Sequence, residues 1–509
     1  MKRLLAIAGA DATERTRRFA FLLTVAVTLY VGYLYFPDMH AGYATIVIGT
    51  YRGVYDSAYL GSAIAVLTVL FTSLFGFFLI RGSVGRDAEL AVGDIVAASP
   101  VRRLTFLFGK FASNLAVLLA VAGISAIAAM IMQQIRAEDR HLDLLNYLVP
   151  FAVITLPAMA IVAASGVVLD VVKPLRGIFG SIVFVAAIWS PLMVLPVTNI
   201  ERATSMAPYD GLGSTAVVIA MRDAARAQYP HAKIETVIIG GGVVRHQGLG
   251  TYRFPGMHWS VDLLEQRLIW LLIALALVAG ISPFFDRFQR ESGRARAPRF
   301  ALDIARAIPA LPGLRIFRAE FALLVNGASV WWMLGAAGIA VACGLAQLAT
   351  VTAYLLPIAF IWPLDRISSL GSRERRSGVD DIFLTTRRYV QRTQFVQIAA
   401  ATLLGALVCS GYLVRVIASG HPAAAIATVL VVAATAAAAL ALGALSSSPR
   451  PFQALYLLVW YVGPINREAF LNFSSATLTA PLALAGIAAA VVLAATLAAT
   501  AGRLAARSR

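Results

Sequence analysis

Long apolar runs, each separated from the next by a short charged or turn-forming connection, set the pattern of the chain. A helix needs roughly 20 mainly apolar residues to cross a hydrocarbon core of about 30 Å. About twelve runs meet that length, centred near residues 28, 69, 121, 158, 186, 276, 336, 358, 404, 433, 459 and 490. The pattern predicts an all-α polytopic membrane protein with about 12 transmembrane helices in two six-helix halves. The start, "MKRLLAIAGADATERTRRF", has no short apolar region followed by a cleavage site, so residues 1–18 read as a basic amphipathic helix on the inner membrane surface.

The halves are separated by residues 286–320, an Arg-, Pro- and Gly-rich stretch without a span, which reads as a cytoplasmic linker between 19–285 and 321–509. An internal repeat supports that division. Setting "GRDAELAVGDIVAAS" (85–99) over "SRERRSGVDDIFLTT" (372–386) aligns Arg86 with Arg373, Asp87 with Glu374, Val92 with Val379, Asp94 with Asp381 and Ile95 with Ile382. One segment, 198–262 between spans 5 and 6, stands outside the bilayer as a small mixed extracytoplasmic domain, and it leaves room for an additional partner there. It contains a helical pattern over 214–229 with Ser214 as its cap. "KIETVII" and "VVRHQ" follow, read as a strand pair or as a strand and a loop, with Gly240–Gly242 as the turn between them.

Composition agrees with a membrane chain. The protein has 509 residues, 59% hydrophobic and only 14% charged, with a mean hydropathy of +0.78. Its net charge of +17 would suggest nucleic acid on a soluble protein. With both termini placed in the cytoplasm, however, 31 of the 43 Lys and Arg fall on the inner side. The excess therefore expresses the positive-inside bias and attraction to anionic membrane lipids, not nucleic acid. Cys343 and Cys409 lie in apolar runs as small hydrophobes. All six histidines fall on the outer side without the spacing of a metal site.

Several chemistries are missing from the sequence. There is no GxxxxGK[ST] loop to cradle a nucleotide, no HExxH and no GxSxG, so the chain encodes no ATPase, zinc protease or lipase motif of its own. Asp170, Asp286 and Asp365 sit at cytoplasmic span ends, Asp56 and Glu468 at outer ones. No carboxylate lies near the middle of a span, which disfavours a proton- or sodium-coupled carrier.

The connection between spans 2 and 3 is different in kind. Residues 86–99 are too charged to span and too apolar, through Leu90, Val92, Ile95 and Val96, to be a free loop. A short amphipathic helix with one buried face fits them. Ser99-Pro100 then restarts the chain, Ser as cap and Pro as first helical residue. Arg102 and Arg103 follow in a first turn where the helix dipole disfavours cations. Either plain positive-inside anchoring or docking to a partner offsets that cost, and Arg387 and Arg388 repeat the design. Span 3 runs from Phe111 to Met132, so Lys110 is expected at the inner membrane boundary with its ammonium among headgroups.

"RDAELAVGDIVAASPVRRLTFLFGK" resembles the cytoplasmic segment between spans 2 and 3 of ABC-2-type transporter permeases, which runs from acidic residues through a Pro break and basic residues to "GK". Residues 252–288, with "FPGMHW", "RLIW" and "FDRF", resemble the start and close of span 6 in large bacterial members. The second half departs from the pattern: Arg387 stands in place of the Pro, and Gln397 in place of the Lys. The resemblance implies the inner-membrane subunit of a bacterial ABC exporter, with no cofactor of its own. ATP and Mg would be held by separate ATPase subunits, two for each chain. Arg86, Asp87, Glu89, Asp94, Ser99, Pro100, Arg102 and Arg103 would form the first ATPase-coupling segment. Arg373, Glu374, Arg376, Asp380, Asp381, Arg387 and Arg388 would form the second. A twelve-span secondary carrier and a non-transporting membrane scaffold are the alternatives.

Overall fold

A computed structural model describes residues 2–16, 19–37, 43–85, 87, 92–175, 178–193, 210–232, 234, 237–243, 249–286, 314–326, 328, 330–378, 389–446, 448–460 and 463–464. The chain divides into two compact units, Met1–Gln289 and Arg290–Arg509. Both are mostly helical. Among the described residues, six helices are long and apolar enough to cross a membrane, or eight if each of two bent pairs is one span. That is the make-up of a membrane-embedded helical protein.

Unit 1 begins with α1 (Lys2–Thr16) and α2 (Phe19–Tyr35), followed by a hairpin of β1 (Tyr43–Ile48) and β2 (Tyr51–Gly53). Then come α3 (Ser57–Ile80), the short α4 (Val92–Ala98), α5 (Arg103–Arg136), α6 (Leu145–Val171) and α7 (Phe179–Met193). The outer segment contributes α8 (Ser214–Gln228), β3 (Val237–Val243) and β4 (Gly250–Tyr252) before α9 (Val261–Ile281). Of these, α3, α5, α6 and α9 carry the long apolar runs.

Two features fit the helices together. In α6, Pro150 and Pro157 offer no N–H, and each ring crowds the carbonyl four residues back. The ladder opens into a π-turn at Phe151–Thr155, and the helix continues beyond it. Val351–Leu355 does the same ahead of Pro357 in unit 2. In α3, Gly61 faces the start of α6 so closely that a Cβ there would lie 2.0 Å from the Asn146 carbonyl oxygen.

The sheet has strand order β3-β1-β2-β4, with β1 antiparallel to both β2 and β3 and with β2 parallel to β4. Within 198–262, β3 and β4 pair not with each other but with the two strands of a hairpin that precedes α3; of "VVRHQ", only Val243 is among the described residues. The sheet corrects the sequence reading at Gly240–Gly242, which are not a turn: they lie inside β3, where the register with β1 shifts between Ala44 and Ile46. Glycine suits such a bulge because no side chain resists the extra residue. The cap of α8 also differs. Ser214 is its first residue, Gly213 holds a left-handed φ of 79°, and the Asp210 carboxylate accepts from the N–H of Gly213 and Thr215 at 2.8 and 2.7 Å.

In unit 2, α10 (Arg315–Val325) runs across residue 320, where the sequence places the end of a linker, and turns by 104° into α11 (Val330–Leu345). Next are α12 (Leu348–Ile367), α13 (Arg373–Arg376), α14 (Tyr389–Val408), α15 (Ser410–Ala418), α16 (Pro422–Ser446) and α17 (Arg450–Trp460). The apolar run near 404 is not one straight span: Thr393–Val408 and Ser410–Ala418 meet at 74° around Cys409. There Gly411 presses on α11, and a Cβ on it would fall 1.8 Å from the Ala340 oxygen. Cys343 and Cys409 are free thiols in the core formed at this crossing.

Candidate functional site: buried charge at the α1 end of unit 1

The sheet lies at the end of unit 1 where α3, α6 and α9 begin. At the opposite end α3 finishes, α5 starts and α1 lies against α5. Lys110, seven residues into α5, is only 3% exposed. It is not a post among headgroups. Its Nζ is 2.8 Å from Asp11 Oδ1 of α1 and 2.8 Å from Asp87 Oδ2. Ser113 Oγ, one turn further on, donates to the second Asp11 oxygen at 2.6 Å. An ammonium among apolar side chains is costly unless paired, and these two carboxylates supply the pairing. The cluster joins three elements: α1, the segment between α3 and α4, and α5.

Neighbouring contacts extend it. Phe106, one turn before Lys110, stacks on Phe285 with ring centroids 5.3 Å apart, and Arg103 Nη1 donates to the Pro283 carbonyl at 3.0 Å. Both tie the beginning of α5 to the end of α9. On the far side of the segment, Arg81 Nη1 meets Asp170 Oδ1 at 2.7 Å and its Nη2 donates to the Leu175 carbonyl. The turn at 82–84 donates to the same Asp170 carboxylate through Gly82 N, Ser83 Oγ and Val84 N.

The expected coupling residues fall as follows. Asp87 is buried in the Lys110 cluster. Helix α5 starts at Arg103, not at Pro100, with Arg102 at the cap position. Ser99 faces back instead of forward: its Oγ donates to the Val96 carbonyl at 2.8 Å and closes α4. Pro100 lies between the two helices, where its missing N–H and restricted predecessor suit a break. Ala97, Ala98, Pro100, Arg102, Arg103 and Leu104 are exposed along this connection. Asp94 lies within α4, and its side chain is outside the described residues, as are Arg86 and Glu89.

Unit 2 holds a second cluster. Arg373 Nη2 bonds to Glu320 Oε2 of α10 and, at 3.1 Å, to Glu374 Oε1. Gln397 of α14 donates to the same Glu374 oxygen at 2.8 Å. Burial alone would lower the Arg373 pKa, but the two carboxylates outweigh it and hold it above its usual value. Arg376 lies in α13, with its side chain outside the described residues; Asp380, Asp381, Arg387 and Arg388 are outside them altogether.

The sheet end has its own polar network. Gln133 of α5 receives the Tyr147 hydroxyl at 2.8 Å and donates to Ser57 Oγ and the His141 carbonyl at 2.9 and 3.0 Å. Arg52 and Glu138 form a two-point ion pair at 3.0 and 2.8 Å. Burial raises Glu138, but hydrogen bonds from Arg52 and the Tyr55 N–H prevail and hold it below the usual carboxylate range. Burial pushes Asp56 up, and the Tyr59 N–H and Arg253 only partly offset this.

Sequence reasoning missed Asp11, Ser113, Glu320 and the Arg81–Asp170 pair. A signal existed for Asp11, an acid within a basic helix, but nothing in the pattern says which lysine it meets. No family model, curated protein or solved structure matches the chain.

Proposed function

We propose that the chain is the membrane permease subunit of an ATP-driven exporter of the ABC-2 type, energised by separate ATPase subunits. In this reading it has twelve spans in two six-span halves, lies in a bacterial inner membrane and has both termini in the cytoplasm. The end of unit 1 that carries α1 faces the cytoplasm, and the sheet faces outward. The reading rests above all on the 97–104 connection, a short exposed strip with two arginines and small apolar residues. Its flanks are anchored on one side by Asp87 and on the other by Lys110 and Phe106. A strip fixed at both ends can pass a push to α5, whereas a free loop would yield. By sequence, 372–388 would be the counterpart of 86–103 in unit 2.

Co-expression with any ABC ATPase found encoded beside it tests the reading. The two should co-purify, and Arg102→Glu with Arg103→Glu should release the ATPase while the permease stays folded. Absence of any complex would overturn the assignment. Uptake driven by a proton gradient in ATP-free vesicles would favour the secondary carrier instead.

A further inference from the structure

The Lys110 and Arg373 clusters each place two acids around one cation, carried by the span in unit 1 and by the segment in unit 2. Under the register that pairs Asp87 with Glu374, Lys110 falls on Gln397 and Arg86 on Arg373. In unit 1 an acid from the helix before the bundle (Asp11, α1) and an acid from the segment after the first long span (Asp87) meet a cation carried by the next span, Lys110. In unit 2 the acids are again one from the preceding helix (Glu320, α10) and one from the segment (Glu374). Here the bridging cation belongs to the segment, as Arg373, and the span supplies a neutral donor, Gln397, on Glu374.

We propose that each unit contains an acid–cation–acid clamp that fastens its leading helix to the connecting segment and to the following span, and that either of two register positions can supply the cation. The segment position is an arginine in both halves, Arg86 and Arg373, and the span position is Lys110 in one and Gln397 in the other. What the two clusters share is the three-way connection between leading helix, segment and span. The consequence is mechanical. Any displacement of the segment carries the leading helix and the start of the span with it as one body. The clamp stands on its own contacts and does not depend on what docks to 97–104.

The test uses the full chain in lipid nanodiscs and follows backbone hydrogen exchange by mass spectrometry. Lys110→Leu should speed exchange in 2–16 by about a hundredfold, the effect of breaking a buried ion pair. Residues 156–171 of α6 should keep their protection and so report intact folding. Lys110→Gln should fall between the two, because glutamine still reaches an acid as Gln397 does. Arg373→Gln should expose 315–325 in the same way. Adding Gln397→Lys to it should restore protection, since the cation then occupies the position used in unit 1. Unchanged protection of 2–16 in Lys110→Leu would overturn the proposal. So would a double variant no better protected at 315–325 than Arg373→Gln alone, a comparison that holds even if the Lys110 variants fail to fold.

Discussion

Arg267 reaches past the carboxylate of Asp210 to its main chain: Nη2 donates to the Asp210 carbonyl oxygen at 2.6 Å, while the carboxylate turns to the first N–H groups of α8. Both residues are buried, and burial raises Asp210 although Arg267 and the α8 amides pull it back. Arg267 Nε and Nη1 make no hydrogen bond among the described residues. The two charges therefore balance at a distance, without direct pairing. Asp210→Asn keeps one acceptor for the cap but loses the second and leaves a buried cation uncompensated, at a cost of at least about 3 kcal/mol. Adding Arg267→Met should recover much of that loss. Thermal melting of the four species closes the cycle, and a double variant as unstable as the sum of the singles would refute the coupling.

The Arg52–Glu138 pair predicts acid sensitivity at the sheet end. Glu138 titrates below its ordinary value in the folded chain, so its contribution is complete above about pH 4.3 and fades as pH falls through the folded value. Partial exposure keeps the effect to about 1 kcal/mol or less. Asp56 acts in the opposite sense: its raised value means that protonation favours the folded state. Melting curves from pH 7 to pH 3 should flatten at the acid end in Glu138→Gln and steepen there in Asp56→Asn.

Gln133 should tolerate no apolar replacement. Gln133→Leu strands the buried Tyr147 hydroxyl and the Ser57 hydroxyl network, at roughly 1–3 kcal/mol. A Tyr147→Phe change in the same background should return part of the loss, measured by the same melts.

Glycines of equal helical propensity should split by their surroundings. Gly61→Ala drives a methyl into the Asn146 carbonyl, and Gly411→Ala drives one into Ala340. Each should cost more than about 1–3 kcal/mol, since backbone has to move. Gly123→Ala and Gly280→Ala meet nothing within 4 Å and should be neutral or stabilising by about 0.5–1 kcal/mol. Equal effects at all four would contradict the packing.

Run length made α3, α5, α6, α9, α12 and α16 legible, because a span must be long and apolar whatever it touches. The bend at Cys409 was not, since it follows from how closely Gly411 meets α11, a contact between residues some seventy positions apart. Lys110 was misjudged for a related reason. The 22 apolar residues after it suffice to span, and nothing local reveals that Asp11 waits across the helix interface. The strand at 43–48 was hidden because its partner follows several spans later, and Gly240–Gly242 signal a turn unless the bulge opposite Thr45 is known. What the sequence did place is the segment 85–103 as a distinct object; its anchoring on both sides came only with the fold.

The order of the sheet also sets a timetable for synthesis. Strand β1 emerges early with β2, but Ile48 also pairs with Val237 and Tyr51 with Gly250, so the sheet stays half-made until α3, α5, α6 and α7 have left the ribosome. Closing so long a loop is entropically expensive and slow, and the β1 edge stays open for as long as it takes. The sheet is thus completed only after most of the unit 1 helices have been made, with α9 still to follow. A chain truncated before β3 should reach the membrane with its helices inserted and its β1 edge unprotected, a form that quality-control proteases can recognise.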